Sequence, residues 1–135
     1  MGEAVLVLDI FLDGFEEVKG KTGEACMIFF HGTVSGPWFT GKILPGGVDT
    51  QKQKAGEKRF LSARYILEGK DRAGNACRIF IENNGTQGED GVIRTRPLVY
   101  TDSEELSWME RAVLAGEIED TGERGHIVIR IGREN

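Results

Sequence analysis

The chain has 135 residues, a formal net charge of −5, 39% hydrophobic side chains, and 19 glycines against three prolines. That length supports one domain over residues 1–135 and buries enough apolar surface to fold without disulfide or metal staples. The apolar content excludes disorder for most of the chain. The acidic balance argues against a nucleic-acid partner: the only strongly basic run, Lys52, Lys54, Lys58 and Arg59, flanks Gly56 without interleaved aromatics and reads as a solvated turn.

In chain order, Ala4–Leu12 reads AVLVLDIFL, a strand that is apolar on both faces. It has no basic flank and Asp9 interrupts it, so it is neither a signal peptide nor a membrane span. A cytoplasmic protein with no membrane partner is expected. Ala25–Phe30, reading ACMIFF, is a second such run. Outer side chains of these runs need cover, and a homo-oligomer, most simply a two-fold dimer, supplies it. The competing arrangement folds residues 14–24 back over them, with Phe15 and Val18 as the lid. Cys26 and Cys77 lie apart in strand-like runs and read as reduced thiols.

Gly36–Lys42 has the spacing of a phosphate-binding loop, but Ile43 stands where Ser or Thr would hold magnesium and Pro45 forbids the helix behind it. It reads as a strand. Period-two alternation follows, with Leu61, Ala63, Tyr65 and Leu67 on one face, then Cys77, Ile79, Ile81 and Asn83, and later Ile127, Ile129 and Ile131. Asp71–Glu82 imitates a calcium loop, yet Ala73 and Ala76 replace a ligand and the turn glycine, so it reads as a hairpin. One helical turn is expected near 102–107, with Asp102 as cap and Glu105 three residues on. Glycine-punctuated strands at this spacing predict an all-β protein, an antiparallel sandwich or barrel.

His31 and His126 have no second ligand at metal spacing, and no nucleophile elbow occurs, so neither a metal, a cofactor nor covalent hydrolysis is expected. What remains is a set of polar residues embedded in strands, which cost free energy unless paired or used. Asp49, if desolvated, has the raised pKa that suits proton transfer. Arg64 and Arg96, expected inside the barrel or at its mouth, clamp an anionic or carbonyl group by forked hydrogen bonds. The structural alternative pairs them with Asp49, Glu68 or Glu82.

Gly36-Pro-x-x-x-Gly-x-x-Leu-Pro-Gly-Gly-x-Asp49, Ala63-Arg64-Tyr65, Asn83-x-Gly85, Thr95-Arg96-Pro97 and Trp108-x-x-Arg111 occur in that order. Together they resemble the uncharacterised family DUF3237, also called UPF0311. The resemblance implies an all-β fold, a compact single antiparallel β-barrel of about eight or more strands related in shape to the barrels that hold small ligands. It brings forward Asp49, Arg64, Tyr65, Asn83, Arg96, Trp108 and Arg111 as shared positions. It supplies no reaction.

The reading that combines these strands of argument is a small-molecule site inside the barrel. Arg64 and Arg96 anchor the ligand, Tyr65 and Trp108 wall it, Asn83 orients it, and Arg111 completes the set. Asp49 is the acid or base if the site is catalytic, which favours isomerase, hydratase or cyclase chemistry on an anionic or carbonyl-bearing metabolite. A non-catalytic carrier barrel and a homo-oligomeric interaction module without a ligand are the alternatives, so enzymatic activity is left open.

Overall fold

The computed structural model describes residues 2–134. Nine strands follow in chain order: β1 Ala4–Lys19, β2 Gly23–Ser35, β3 Phe39–Ile43, β4 Val48–Lys54, β5 Arg59–Asp71, β6 Ala76–Gln87, β7 Ile93–Thr101, β8 Leu114–Asp120 and β9 His126–Arg133. All pairings are antiparallel, and β1 meets both β2 and β9, which closes the sheet into a barrel. β3 and β4 share one place in the circuit. Each bridges β2 to β5, β3 towards one end and β4 towards the other, so the closed wall is eight strands around with one extra strand.

The alternation read from the sequence sets the inner face. Leu61, Tyr65 and Leu67 of β5, Cys77, Ile79, Ile81 and Asn83 of β6, and Ile129 and Ile131 of β9 are all buried. Leu6, Leu8 and Ile10 join them from β1, with Phe30 and Val34 from β2. Gly36–Lys42 enters strand β3, and Asp71–Glu82 spans a hairpin turn and most of β6, as expected. Barrel closure needs strands to bend, and at one corner a glycine pair permits it. Gly41 of β3 faces Gly69 of β5. A Cβ on Gly69 would overlap the Thr40 carbonyl oxygen and lie 2.6 Å from the Gly41 Cα, so the two backbones approach as only glycines can.

One end of the barrel is capped by residues 102–113. The helical element is a 3₁₀ turn at Ser107–Glu110, slightly later than the 102–107 expected. The expected capping box is absent. Asp102 instead accepts the Arg78 N–H, and Glu105 accepts Arg72 Nε and the Ala73 N–H. Ser103 does the local work: its Oγ accepts the Leu106 N–H at 3.2 Å and donates to Asp71 Oδ2 at 2.8 Å. Burial alone pushes the Asp71 pKa up, but hydrogen bonds from Ser103 and from the backbone at Asn75, Ala73 and Gly74 outweigh it and hold the carboxyl below its ordinary value. A depressed carboxyl pKa contributes stability above its unfolded value and loses it as pH falls through the folded value. Ser103→Ala is therefore expected to lower the melting temperature by a few degrees at neutral pH, and by less in acid, in thermal scans at both.

Residues 14–24 do not fold back over β1. They continue the β1–β2 hairpin past a bulge between Leu12 and Gly14, and Phe15 and Val18 are 61% and 72% exposed. Phe11, Met27 and Phe29 stay open to solvent on the outer wall. No helix among the described residues is long and apolar enough to cross a membrane.

Candidate functional site

Strand register brings several polar residues to one stretch of the inner wall. Asp49 of β4 lies opposite Ala63 of β5, Ala63 opposite Asn83 of β6, and Asn83 opposite Pro97 of β7. These residues form one rung across the inner wall. Alanine in the middle puts only a methyl group on the rung between Asp49 and Asn83. Tyr65 stands two residues further along β5, on the same face, with its ring edge-on to Phe30 at 5.6 Å between centroids. A Cβ on Gly116 would come within 2.5 Å of Thr95 Oγ1 and 3.2 Å of Asn83 Nδ2, so the glycine keeps the amide clear on the β8 side.

Three polar atoms of this group are buried without a hydrogen-bond partner in the protein: Asp49 Oδ1, Tyr65 OH and Asn83 Oδ1. An unpaired buried polar group costs about 1–3 kcal/mol, so three in one interior make a set of open valences. The other Asp49 oxygen is held. Gln51 Nε2 donates to Oδ2 at 2.8 Å, Arg59 Nε donates to Gln51 Oε1 at 2.7 Å, and Arg59 Nη1 meets Glu24 Oε1 at 3.0 Å. This chain runs along the inner faces of β4, β5 and β2. Burial raises the Asp49 pKa above its ordinary value, opposed by the Gln51 hydrogen bond and the Arg59 charge. Burial also pushes the Tyr65 hydroxyl far up, so it stays protonated and can donate. The interior group is rich in acceptors, and the nearby Arg59 is already matched by Glu24.

The structure brings together three of the residues singled out from the sequence, Asp49, Tyr65 and Asn83. It separates the other four. Arg64 and Arg96 do not point into the barrel. Arg64 sits between inward Ala63 and Tyr65 and is exposed on the outer wall. Arg96 faces outward opposite Asn84 and pairs with Glu134 at 3.1 Å, tying β7 to the tail of the chain. Strand parity is the reason: if Tyr65 and Thr95 are inside, their neighbours are outside. Trp108 lies at the capped end, against Trp38 at 5.4 Å, with Arg133 over its ring at 4.1 Å. Arg111 is exposed just beyond the 3₁₀ turn.

Glu24, Gln51, Arg59 and Thr95 are among the inward polar residues that sequence reasoning missed. Arg59 shares its face with Leu61, a signal obscured by grouping it with the neighbouring lysines. Other buried polar atoms without a hydrogen-bond partner, Thr50 Oγ1, Trp108 Nε1 and His126 Nδ1, lie apart from the interior group. No cluster of His, Cys, Asp and Glu suited to a metal occurs among the described residues.

The model of the family described as protein of unknown function (DUF3237) matches residues 8–92. A UPF0311 protein of Clostridium acetobutylicum is 42% identical over 92 residues, covering 68% of this chain and 50% of that protein. The chain thus spans about half the length of the curated relative it matches. Among solved structures, a protein of unknown function from Clostridium acetobutylicum superposes with a TM-score of 0.81 at 26% identity, covering 98% of each chain. An enzyme from Penicillium herquei superposes with a TM-score of 0.71 at 15% identity, covering 96% of this chain and 92% of that one.

Proposed function

We propose a function for a chain that belongs to the DUF3237 family: the barrel interior binds a small neutral metabolite carrying a carbonyl or hydroxyl group, and Asp49 moves a proton on it. One observation carries this reading, the three unpaired buried atoms of Asp49, Tyr65 and Asn83 on adjoining strands of one inner wall. An anionic ligand is disfavoured because Arg64 and Arg96 lie outside and Arg59 is paired with Glu24. Tyr65 donates to the ligand oxygen, and Asn83 fixes its orientation. The Asp49 carboxylate takes a proton from the carbon beside a carbonyl and returns it at another position, as in an isomerisation. A raised pKa brings such a group closer to neutral pH, where proton transfer in both directions is efficient. The likeness in shape to an enzyme barrel is compatible with this but shows the fold alone.

Thermal-shift screening of neutral hydroxy and carbonyl metabolites tests the reading. A ligand at a hundred times its dissociation constant raises stability by about 2.7 kcal/mol. The shift should survive in Arg64→Ala and Arg96→Ala and vanish in Asn83→Leu. A ligand whose shift depends on the arginines and ignores Asn83 would overturn it. Should the ligand bind while neither wild type nor Asp49→Asn turns it over, the barrel is a carrier. A second reading, a two-fold dimer, is favoured by the exposed Phe11, Met27 and Phe29 on the β1–β2 wall. Sedimentation decides it: a mass that stays at 14.9 kDa at all concentrations rules the dimer out.

A further inference from the structure

The outer wall carries a second feature, remote from the interior group. One outward rung runs from Val18 of β1 through Ala25 of β2 and Lys52 of β4 to Phe60 of β5. Gly23 and Lys54 face each other on the next outward rung. The small residues Gly23 and Ala25 form a floor between two apolar walls, Val18 at 72% and Phe60 at 51% exposure. The resulting groove has a volume of about 530 Å³, within the usual range of roughly 300–1,000 Å³ for small-molecule sites.

Its charge is one-sided. None of the ion pairs among the described residues involves a lysine, so Lys52 and Lys54 are free cations. Of the two acids on the groove, Glu24 is taken by Arg59, leaving Glu57 alone. The adjoining depression over the hairpin tips adds Lys19 and Lys21. A positive, apolar-floored groove stands on a chain of net charge −5.

We propose that this groove binds a free amphiphilic carboxylate, its hydrocarbon body on Ala25 between Val18 and Phe60 and its head group on Lys52 and Lys54. Concavity and size favour one small molecule over a flat membrane surface, which would engage protruding side chains and leave the floor unused. The unpaired lysines favour an acid over a neutral lipid, because a charge-assisted hydrogen bond is roughly twice as strong as a neutral one. Apolar area removed from water along the floor and walls supplies the rest.

Decanoate below its micelle concentration is the probe, with 1-decanol as its neutral counterpart. Calorimetry should show saturable binding of one decanoate per chain, and amide NMR shifts should be confined to residues 18–25 and 52–60. Lys52→Glu with Lys54→Glu, and separately Ala25→Leu, should each weaken binding about tenfold or more. Ala25 faces solvent, so the leucine fills the groove and spares the core. Decanol should bind at least about tenfold more weakly than decanoate. Non-saturable uptake, equal binding of the alcohol, or shifts centred on Asn83 would overturn the proposal. So would capture by anionic vesicles without binding of monomeric decanoate, which makes the face a membrane contact. A wild-type dimer that Ala25→Leu dissociates, with no decanoate bound, makes it an interface between copies and equally overturns it.

Discussion

Gly69→Ala is expected to destabilise the barrel by about 3 kcal/mol or more, enough to lower the melting temperature by roughly 10 °C or to send the protein into aggregates. The reason is backbone proximity. At this corner the added methyl would meet the Thr40 carbonyl oxygen and the Gly41 Cα, both main-chain atoms that no rotamer change can move. Relief requires β3 and β5 to separate, and that disturbs the ladder from Phe39–Asp71 to Ile43–Leu67. Buried Phe39, Ile43 and Leu67 hang from that ladder, so the loss spreads into the core. Gly74→Ala serves as the contrast. Its φ of +87° makes an alanine strained, but nothing lies within 4 Å of the new Cβ, and the expected cost is about 1 kcal/mol. Denaturant unfolding of both variants checks the ranking, and equal losses would show that the close approach is not what limits the corner.

Asp49→Asn should abolish turnover while retaining ligand binding, a loss of about 100-fold or more if the carboxyl moves the proton. The same variant reports on desolvation through stability. Burial raises the Asp49 pKa, so the folded state holds its proton more tightly than the unfolded chain does. With the folded pKa above the unfolded one, the ionised carboxyl destabilises the fold, and stability falls as pH rises through that window. Asparagine removes this penalty. The variant should therefore melt higher than wild type at pH 7, by about 2–4 °C, and the gap should close as pH falls below the unfolded value of about 3.9. A gap that widens in acid would show that Asp49 is stabilised as a carboxylate. Gln51 and Arg59 would then dominate its surroundings.

Much of the architecture was legible because period-two alternation needs only local information. Leu61, Ala63, Tyr65 and Leu67 announce their common face, and β6 and β9 do the same, so the all-β class and most of the inner lining follow from pattern alone, while the choice of barrel over sandwich came from the family resemblance. The same parity decides the arginines. Arg64 lies between Ala63 and Tyr65, and placing Tyr65 inside already places Arg64 outside. Its aromatic neighbour suggested an interior placement that strand geometry forbids. Arg96 follows Thr95 in the same way. Trp108 was out of reach for another reason: the chain leaves β7 at Thr101 and packs residues 102–113 across the barrel end, a tertiary arrangement with no periodic signature. Asp102 had the residue type of a cap, yet Ser103 took the role because Asp71 stood ready to accept its hydroxyl. The shared position of β3 and β4 was likewise hidden, since only closure of the circuit reveals that two short strands split one place.

The interior reading rests on three residues in one wall, and a crystal structure of the complex with the strongest neutral ligand from the thermal-shift screen tests it most directly. The expected result is a ligand inside the barrel, with polar atoms within about 3.2 Å of Asp49 Oδ1, Tyr65 OH and Asn83 Oδ1. A ligand seated on the outer wall against Arg64 or Arg96, with those three atoms untouched, would contradict it.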